Sequence, residues 1–219
     1  EMLGLETRGM WVGTFHGLAH KFLRLHWKEA GLEQGFQVLD SDDQHRQIKK
    51  IIKEQSLDES YYPPKEVQWF INNQKDLGLR AKQVKEDPGK KQHIQLYKDY
   101  EKRCSRSGLV DFGELLLSCY ETLSKNKALL EHYQQRFKNI LVDEFQDTNE
   151  IQYQMVRLLS GEHGAAFVVG DDDQSIYRWR GANSANMSRF QKEFANTRVI
   201  KMEQNYRSTK TILDAANAV

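Results

Sequence analysis

The sequence predicts an α/β fold in which a parallel sheet is interrupted by a large all-helical insertion. From residue 137 onward, short apolar runs alternate with stretches of helical periodicity, which is the pattern of parallel β-α units. Residues 15–136 show helical spacing almost throughout, and residues 10–14 before them indicate one further short strand of the same sheet. An insertion within one α/β domain explains this order better than two tandem domains.

Length and composition are those of a globular protein. The 219 residues suffice for one large hydrophobic core or two small ones. Hydrophobic residues make up 39% and charged residues 29%, which argues against a disordered chain. No apolar run approaches the ~18 residues of a membrane helix, so we expect no membrane association. Because the net charge is only +1, any surface for nucleic acid must be local.

The two cysteines, Cys104 and Cys119, lack both C-x-x-C spacing and the spacing of a zinc site. They are most simply free thiols in a reducing compartment, so we expect a cytoplasmic protein. The chain starts at Glu1 and stops at Val219 inside a helix-like run. We therefore expect it to be a piece of a longer protein.

Capping residues and apolar spacing predict the helices of the insertion in order. Asp40 or Ser41 begins one helix, Pro64 can form the first turn of another, and Asp111 caps a third. Gly108 ends the helix before it. The predicted helices cover residues 15–30, 41–55, 64–76, 90–107, 112–124 and 127–135, with a brief extended piece at 36–39.

Three further strands and three helices are predicted after the insertion. The strands are residues 140–142, 165–169 and 198–202, and each is followed or preceded by a helical segment. The corresponding helices are residues 150–160, 184–194 and 208 onward. Strand 140–142 is apolar throughout, which suits a strand buried on both faces of a parallel sheet.

Two carboxylates, Asp143 and Glu144, follow that strand directly. The carboxyl ends of strands are where open α/β sheets bind ligands. Carboxylate oxygens are also the ligands that Mg²⁺ takes, usually together with substrate phosphates. The alternative is a surface Asp-Glu pair that merely starts a loop, but the motifs further along the chain favour a site.

A second polar segment follows strand 165–169. Gln174 carries both a donor and an acceptor, so it could contact a phosphate oxygen or a positioned water. Tyr177 and Trp179 alternate with Arg178 and Arg180, a pattern typical of surfaces that stack bases and bind phosphates of single-stranded nucleic acid. Because tryptophan is usually well buried, the two aromatics could equally belong to the core.

Two shorter motifs lie at other predicted strand ends. Tyr206 offers a flat face and Arg207 a bidentate fork for phosphate, although many such pairs are surface residues. Thr14 and His16 could hydrogen-bond the phosphates of nucleic acid. Carboxylates that hold a magnesium nucleotide normally work with a G-x-x-x-x-G-K-[ST] loop, and these 219 residues contain none.

Four motifs occur in one order along the chain: G-T-F-H-G, L-V-D-E-F-Q-D-T-N, V-G-D-D-D-Q-S-I-Y-R-W-R-G-A and E-Q-N-Y-R-S-T. Together they resemble superfamily 1 DNA helicases of the UvrD/Rep/PcrA type, and the insertion is most similar to the UvrD branch. The resemblance implies a RecA-like parallel sheet of the P-loop NTPase class. It also implies an ATP- and Mg²⁺-dependent enzyme that moves 3′→5′ on single-stranded DNA and unwinds duplexes in nucleotide-excision and mismatch repair.

The resemblance implies roles for individual residues. Asp143 would hold Mg²⁺, Glu144 would activate the attacking water, and Gln174 would sense the γ-phosphate. Tyr206 would stack on adenine, and Arg207 would act as an arginine finger. The path of single-stranded DNA would be lined by Thr14, Phe15, His16, Tyr177, Trp179 and Arg180.

The resemblance further implies a division into domains. Residues 1–14 and 137–203 would belong to the first RecA-like domain (1A), 15–136 to its helical insert (1B), and 204–219 to the truncated start of the second (2A). The phosphate loop would lie upstream, so we expect the fragment alone to be inactive. Expected partners are single-stranded DNA, single-strand/duplex junctions and DNA-repair proteins.

Two other classes of function remain open at the level of sequence. The chain could be a non-catalytic module that binds single-stranded DNA or docks a protein. It could also be a metal-dependent nuclease that uses Asp143, Glu144 and the three aspartates at 171–173, since two-metal sites employ carboxylate clusters. That alternative leaves the aromatic-arginine and Tyr-Arg motifs unexplained.

Overall fold

The computed structural model describes residues 9–161, 164–171, 174, 185–194, 196–202 and 204–218. The chain forms two compact units, Glu1–Met187 and Ser188–Val219. The helices and strands are α1 Phe15–Leu25, β1 Gln37–Leu39, α2 Ser41–Glu54, α3 Pro64–Asp76, α4 Lys91–Arg106, β2 Leu109–Asp111, α5 Phe112–Lys125, α6 Lys127–Arg136, β3 Asn139–Val142, α7 Glu150–Ser160, β4 Ala165–Val168, α8 Ala185–Glu193 and α9 Lys210–Asn217. None of the helices in this part of the chain has both the length and the apolar character needed to cross a membrane.

Several helices begin at the capping residues that the sequence indicates. The Asp40 carboxylate accepts the backbone N–H of Asp43 at 2.7 Å, and the Asp111 carboxylate accepts that of Glu114 at 2.7 Å. Pro64 is the first residue of α3. These contacts satisfy N–H groups that have no partner within the helix itself, which fixes where each helix starts.

Two hydrophobic clusters form the core of the larger unit. One packs α1, α5 and α7 around side chains such as Leu116 and Ile151, and the other packs α2, α3 and α4 around Ile71 and Tyr97. Because α7 follows the strand β3 while α1 and α5 precede it, the first cluster joins the helical segment before β3 to the β-α part. Cys104 and Cys119 are both buried and free, as predicted.

The predicted all-helical character of residues 15–136 is wrong in one respect. β1 and β2 pair as parallel strands, with Gln37 opposite Leu109 and Leu39 opposite Asp111. Sequence spacing did not show this because each strand is only three residues long and its partner lies far away along the chain. The pairing places Asp111 beside α3, where a buried charge cluster forms.

That cluster centres on Lys75, whose side chain is 2% exposed. Its Nζ lies 2.7 Å from Asp111 Oδ2 and 3.0 Å from Glu114 Oε2. Burial by itself lowers the pKa of Lys75, but the two carboxylates outweigh it and hold the pKa above its usual range. Burial likewise raises the pKa of Glu114, yet Lys75 and Arg80 reverse this and bring it to about 2. Lys75, Arg80 and Glu114 are therefore charged at neutral pH.

The predicted parallel β-α unit after residue 136 is confirmed. β3 and β4 pair in parallel with Asn139 opposite Ala165 and Val142 opposite Val168, and α7 crosses between them. The strands predicted at residues 10–14 and 198–202 do not form, because no neighbouring strand in the described part of the chain accepts their backbone groups. The described fold is thus mixed α/β with two small parallel sheets.

Burial of β3 on both faces, which the apolar sequence predicts, is not observed. Val142 is 8% exposed, but Leu141 is 74% exposed and Phe167 on the neighbouring strand is 57% exposed. Successive side chains of a strand point to opposite faces. The face that carries Val142 packs on the rest of the unit, whereas the face that carries Leu141 is open in the described structure.

Candidate functional site

The turn after β3 presents two carboxylates to solvent. Asp143 and Glu144 are both exposed, and Asp143 Oδ1 accepts the N–H of Glu144 at 2.9 Å. Glu144 has a left-handed backbone (φ 51°, ψ 43°), which is uncommon for a residue other than glycine. The next residue, Phe145, is fully buried. The chain thus turns sharply, with the carboxylates outside and an aromatic anchor inside.

The segment after β4 leaves the sheet alongside this turn. Val169 N–H donates to the carbonyl of Val142 at 2.9 Å, and Phe145 N–H donates to the carbonyl of Val169 at 2.9 Å. Backbone pairing therefore continues beyond the strands themselves. As a result, Asp143 and Glu144 lie at the same edge of the sheet as Gly170 and Asp171.

A chain of side-chain hydrogen bonds joins the two segments. Gln146 is 1% exposed, and its Nε2 donates to Glu144 Oε2 at 2.6 Å. The Oε1 atom of the same side chain accepts the N–H of Asp171 at 3.1 Å. Asp171 Oδ2 in turn accepts from Gln174 Nε2 at 2.7 Å. The structure therefore connects Glu144 and Gln174, two of the predicted site residues, through Gln146 and Asp171.

Gly170 leaves the space that this arrangement needs. A Cβ atom at residue 170 would lie 2.6 Å from Gln146 Oε1 and 2.8 Å from the terminal methyl of Met187. Real side chains do not approach so closely, so any larger residue would displace Gln146. The glycine is explained by this close approach of the two segments.

Buried polar contacts hold the turn from its other sides. Asn186 is fully buried, and its Nδ2 donates to the carbonyl of Thr148 at 3.0 Å and to its Oγ1 at 3.2 Å. Thr148 Oγ1 donates to the carbonyl of Phe145 at 2.7 Å. Asn149, which caps α7, donates from Nδ2 to Asp76 Oδ1 at 2.8 Å. These bonds fix the backbone behind the exposed carboxylates.

Asp76 brings a titrating group to this contact. Burial, and then the nearby charge of Asp111, raise the pKa of Asp76 to about 6, while the hydrogen bond from Asn149 opposes the rise. The carboxylate is therefore mostly ionised at neutral pH and partly protonated in mild acid. This is the point at which helix α3 contacts the start of α7, shortly after the turn that follows β3.

The donor set at the sheet edge fits a hard cation that also binds substrate oxygens. Asp143 offers an exposed carboxylate at the end of β3. The described residues contain no group of three or more His, Cys, Asp or Glu side chains placed to hold a metal. Mg²⁺ usually takes only one or two protein carboxylates and completes its shell with waters and phosphates, so an open arrangement of this kind suits it. Asp172 and Asp173 lie outside the described residues.

The motif at residues 13–17 forms the start of α1. Thr14 is exposed, and its Oγ1 accepts the N–H of Gly17 at 3.1 Å, so its hydroxyl caps the helix. Phe15 packs against the first hydrophobic cluster. The ring of His16 lies edge-on to Phe112 with centroids 5.7 Å apart, and burial lowers its pKa. His16 is therefore neutral at physiological pH and can offer either a donor or an acceptor.

Tyr206 and Arg207 lie in the smaller unit, before α9. Asn205 Oδ1 accepts the N–H groups of Arg207 and Ser208, both at 2.9 Å, which forms a compact turn. Tyr206 is 85% exposed, and Arg207 is exposed as well. The side chains are thus presented to solvent, as a residue that stacks on a base or contacts a phosphate requires.

The remaining predicted site residues lie outside the described residues; they are Tyr177, Trp179 and Arg180. Their role in binding single-stranded DNA stays a prediction, and so does the alternative that the two aromatic side chains belong to the core. Sequence reasoning gave no role to Gln146 or Asn186. Both look like ordinary polar residues within polar motifs, and only tertiary structure shows that they are buried and bridge separate segments. The one signal in the sequence for a role of Gln146 was its position two residues after Glu144.

Acidic and amide side chains lie at the carboxyl ends of two adjacent parallel strands, which is where open α/β sheets bind ligands. Residues 1–195 match the family described as the UvrD/REP helicase N-terminal domain. The chain belongs to this family, which implies a P-loop NTPase fold and confirms the resemblance seen in the motifs.

Curated relatives support the same assignment. The chain is 52% identical to the DNA helicase II of Salmonella typhimurium and 52% identical to that of Escherichia coli, in each case over 100% of this chain and 31% of the relative. It is 37% identical to the ATP-dependent DNA helicase PcrA of Staphylococcus aureus, over 100% of this chain and 30% of the relative. The chain therefore spans less than a third of the length of these relatives.

Proposed function

We propose that this chain is part of the motor of an ATP-dependent 3′→5′ DNA helicase, which couples ATP hydrolysis to translocation on single-stranded DNA and to duplex unwinding in DNA repair. The observation that carries the proposal is the hydrogen-bonded connection of Glu144 to Gln174 across the ends of two parallel strands. Membership of the UvrD/REP family supports it, as does the similarity to PcrA, an ATP-dependent DNA helicase.

The roles at the sheet edge follow from the chemistry of each side chain. Asp143 would coordinate Mg²⁺ bound to the nucleotide, because it offers an exposed carboxylate at the strand end. When bound, the ion neutralises charge on the β- and γ-phosphates. Glu144 would accept the proton of the attacking water, and its carboxylate already has one oxygen oriented by Gln146. Gln174 would contact the γ-phosphate.

Two further roles in nucleotide binding are proposed for Tyr206 and Arg207. Tyr206 would stack on the adenine through its exposed ring, and Arg207 would contact the phosphoryl group as its charge develops. Fingers of this kind raise the rate by about 10³–10⁵. The compact turn at Asn205 supports this proposal, because it orders the backbone that carries both side chains.

The proposed path for single-stranded DNA begins at the start of α1. The exposed hydroxyl of Thr14 and the neutral ring of His16 can hydrogen-bond phosphate or sugar oxygens. Single-strand/duplex junctions and DNA-repair proteins are the proposed partners of the whole protein. The full set of proposed DNA contacts is Thr14, Phe15, His16, Tyr177, Trp179 and Arg180.

We retain the domain division as part of the proposal. Residues 1–14 and 137–203 would form the first RecA-like domain, 15–136 its insert, and 204–219 the start of the second. The separate hydrophobic cluster of α2, α3 and α4 supports an insert with its own core. Because these 219 residues carry no G-x-x-x-x-G-K-[ST] loop, we expect the isolated chain not to hydrolyse ATP.

The test compares the isolated chain with the full-length protein in an ATPase assay with single-stranded DNA. We expect DNA-stimulated turnover by the full-length protein and none by the isolated chain. Glu144→Gln should abolish turnover in the full-length protein, whereas Glu86→Gln at an exposed position of the insertion should leave it unchanged. If the Glu144→Gln variant of the full-length protein hydrolyses ATP at the wild-type rate, the proposed role of Glu144 is wrong. If the isolated chain hydrolyses ATP, its predicted inactivity is wrong.

A second function is favoured for the isolated chain itself. The exposed hydroxyl of Thr14 and the neutral ring of His16 suit a module that binds single-stranded DNA without catalysis. Such binding should be weak and should fall steeply with salt, which fluorescence anisotropy with a labelled oligonucleotide measures. The nuclease alternative predicts Mg²⁺-dependent cutting of DNA in the absence of ATP, and the same preparations test it.

A further inference from the structure

We propose that Gln146 is the positioning residue that makes the orientation of Glu144 depend on the segment after β4. The inference rests on the proposed function, because it assigns Glu144 to the attacking water. It goes further by giving a task to a buried side chain that no motif role explains. Gln146 would act through Glu144 and would not itself touch the nucleotide.

The geometry of Gln146 fits this task on both of its polar atoms. Nε2 donates to Glu144 Oε2 at 2.6 Å, and Oε1 accepts the backbone N–H of Asp171 at 3.1 Å. A glutamine is required because one end must donate and the other must accept. At 1% exposure the amide is shielded from water, which strengthens both hydrogen bonds.

The connection continues to the proposed phosphate contact. Asp171, whose N–H Gln146 holds, accepts through its carboxylate from Gln174 Nε2 at 2.7 Å. A movement of Gln174 toward a phosphate would therefore shift Asp171, and Gln146 would pass that shift to Glu144. In this way the group that contacts phosphate and the group that accepts the proton are mechanically linked.

The fold of the two segments does not depend on the Gln146 amide. Backbone bonds already pair them, since Val169 donates to Val142 and Phe145 donates to Val169, both at 2.9 Å. Asn186 holds the turn from another side through Thr148. Loss of the Gln146 amide should therefore change catalysis more than it changes the structure of the sheet edge.

Gly170 provides an independent way to break the same connection. A Cβ at that residue would lie 2.6 Å from Gln146 Oε1, so Gly170→Ala displaces an otherwise unchanged glutamine. Because both substitutions act on one contact, their effects on kcat should not add in the double variant Gln146→Met/Gly170→Ala. Additive losses would show that the two residues act separately.

The experiment uses the full-length protein and measures ATP turnover stimulated by single-stranded DNA. Gln146→Met removes both polar atoms, and we expect kcat to fall about 10- to 100-fold, because a small misplacement of a catalytic group has effects of this size. KM for ATP should stay unchanged, because Gln146 does not touch the nucleotide. Thermal unfolding of each variant should remain close to wild type.

Gln146→Glu gives a readout that a merely structural role would not produce. The new carboxylate would face Glu144 Oε2, so the proton affinity of the pair rises and the acid limb of the kcat–pH profile moves to higher pH. The matched control is Gln154→Glu on α7, where Gln154 Nε2 donates to Glu150 Oε1 at 2.6 Å but the contact lies within one helix. The control should change neither kcat nor the profile.

The outcomes separate this inference from the proposed function. If wild-type protein lacks DNA-stimulated ATP turnover, the proposed function fails. If wild-type protein is active but the Gln146 variants match it in kcat and in pH profile, the positioning role fails while the proposed function stands. A reduced kcat with a shifted acid limb, an unchanged KM and a silent Gln154→Glu control supports the positioning role.

Discussion

Replacement of Lys75 by methionine tests the buried charge cluster that joins α3 to α5. The Lys75 ammonium is 2% exposed and lies 2.7 Å from Asp111 Oδ2 and 3.0 Å from Glu114 Oε2. Methionine has a similar length and an apolar end, so the substitution removes the charge with little change in packing volume. It leaves two buried carboxylates with one cation fewer.

The remaining partners determine how much the change costs. Glu114 keeps an ion pair with Arg80 at 2.7 Å, but Asp111 retains only neutral donors on the same oxygen, the hydroxyl of Tyr100 at 2.7 Å and the amide of Gln44 at 3.2 Å. Breaking a buried ion pair by removing one partner costs about 3–5 kcal/mol. Because small domains are stable by only ~5–15 kcal/mol, we expect a large fraction of the folding free energy to be lost.

Urea unfolding of the isolated chain, followed by circular dichroism near neutral pH, measures the effect. Lys75→Met should lower the free energy of unfolding by about 3–5 kcal/mol. Adding Asp111→Asn should restore part of it, because the uncompensated charge is then removed. Lys125→Met is the control, since Lys125 is 74% exposed in its pair with Glu121, and it should change stability by less than about 1 kcal/mol. A loss below that level for Lys75→Met, or no restoration by Asp111→Asn, would refute the reasoning.

Three other substitutions probe different parts of the chain. Asp76→Asn removes a carboxyl whose pKa is raised from 3.8 to about 6 in the folded protein. Its ionised form, which dominates above pH 6, opposes folding, whereas its protonated form does not. The variant should therefore gain up to about 3 kcal/mol of unfolding free energy above pH 6 and almost nothing below pH 3.8, as measured by urea unfolding across pH. Thr14→Ala removes the cap of α1 and should cost about 0.5–2 kcal/mol in the same assay, with Gly17 N–H left unpaired. Tyr206→Ala should change the stability of the isolated chain by less than about 0.5 kcal/mol, since the ring is 85% exposed, yet raise KM for ATP in the full-length protein; an unchanged KM would contradict the stacking role.

Local chemistry explains what the sequence predicted well. The strand at 139–142, the acidic turn after it and the helix at 150–160 depend on neighbouring residues, such as the capping amide of Asn149. The same holds for α2 and α5, which begin after Asp40 and Asp111. Capping and apolar spacing act within a few residues, so one sequence carries their full signal.

Contacts between residues that are distant along the chain explain what the sequence predicted poorly. β1 forms only because residues 109–111 lie beside it and pair with it. Residues 10–14 and 198–202 form no strand, because the described part of the chain places no partner strand next to them. Leu141 looks like a core residue but is 74% exposed. Whether an apolar side chain is covered depends on what packs against it, and periodicity does not contain that information.

The contrast between local and long-range interactions also explains which residues of the candidate site could be predicted from the sequence. The predicted residues Asp143, Glu144 and Gln174 are exposed groups whose chemistry is visible in their types. The residues that orient them are buried: Gln146 joins the ends of β3 and β4, and Asn149 both caps α7 and donates to Asp76. A turn with a left-handed residue at Glu144 costs conformational energy, and such a conformation persists only when its surroundings determine it.

Those surroundings extend into the helical segment. Asp76 is the last residue of α3 and directly follows Lys75, whose ammonium binds Asp111 at the end of β2. The side chain of Asp76 then holds Asn149 at the start of α7. The charge cluster around Lys75 and the segment after the acidic turn are therefore joined through adjacent residues of α3. A substitution at Lys75 that the fold survives should consequently also weaken the contact between Asp76 and Asn149, which makes α3 part of the support of the turn that carries Glu144.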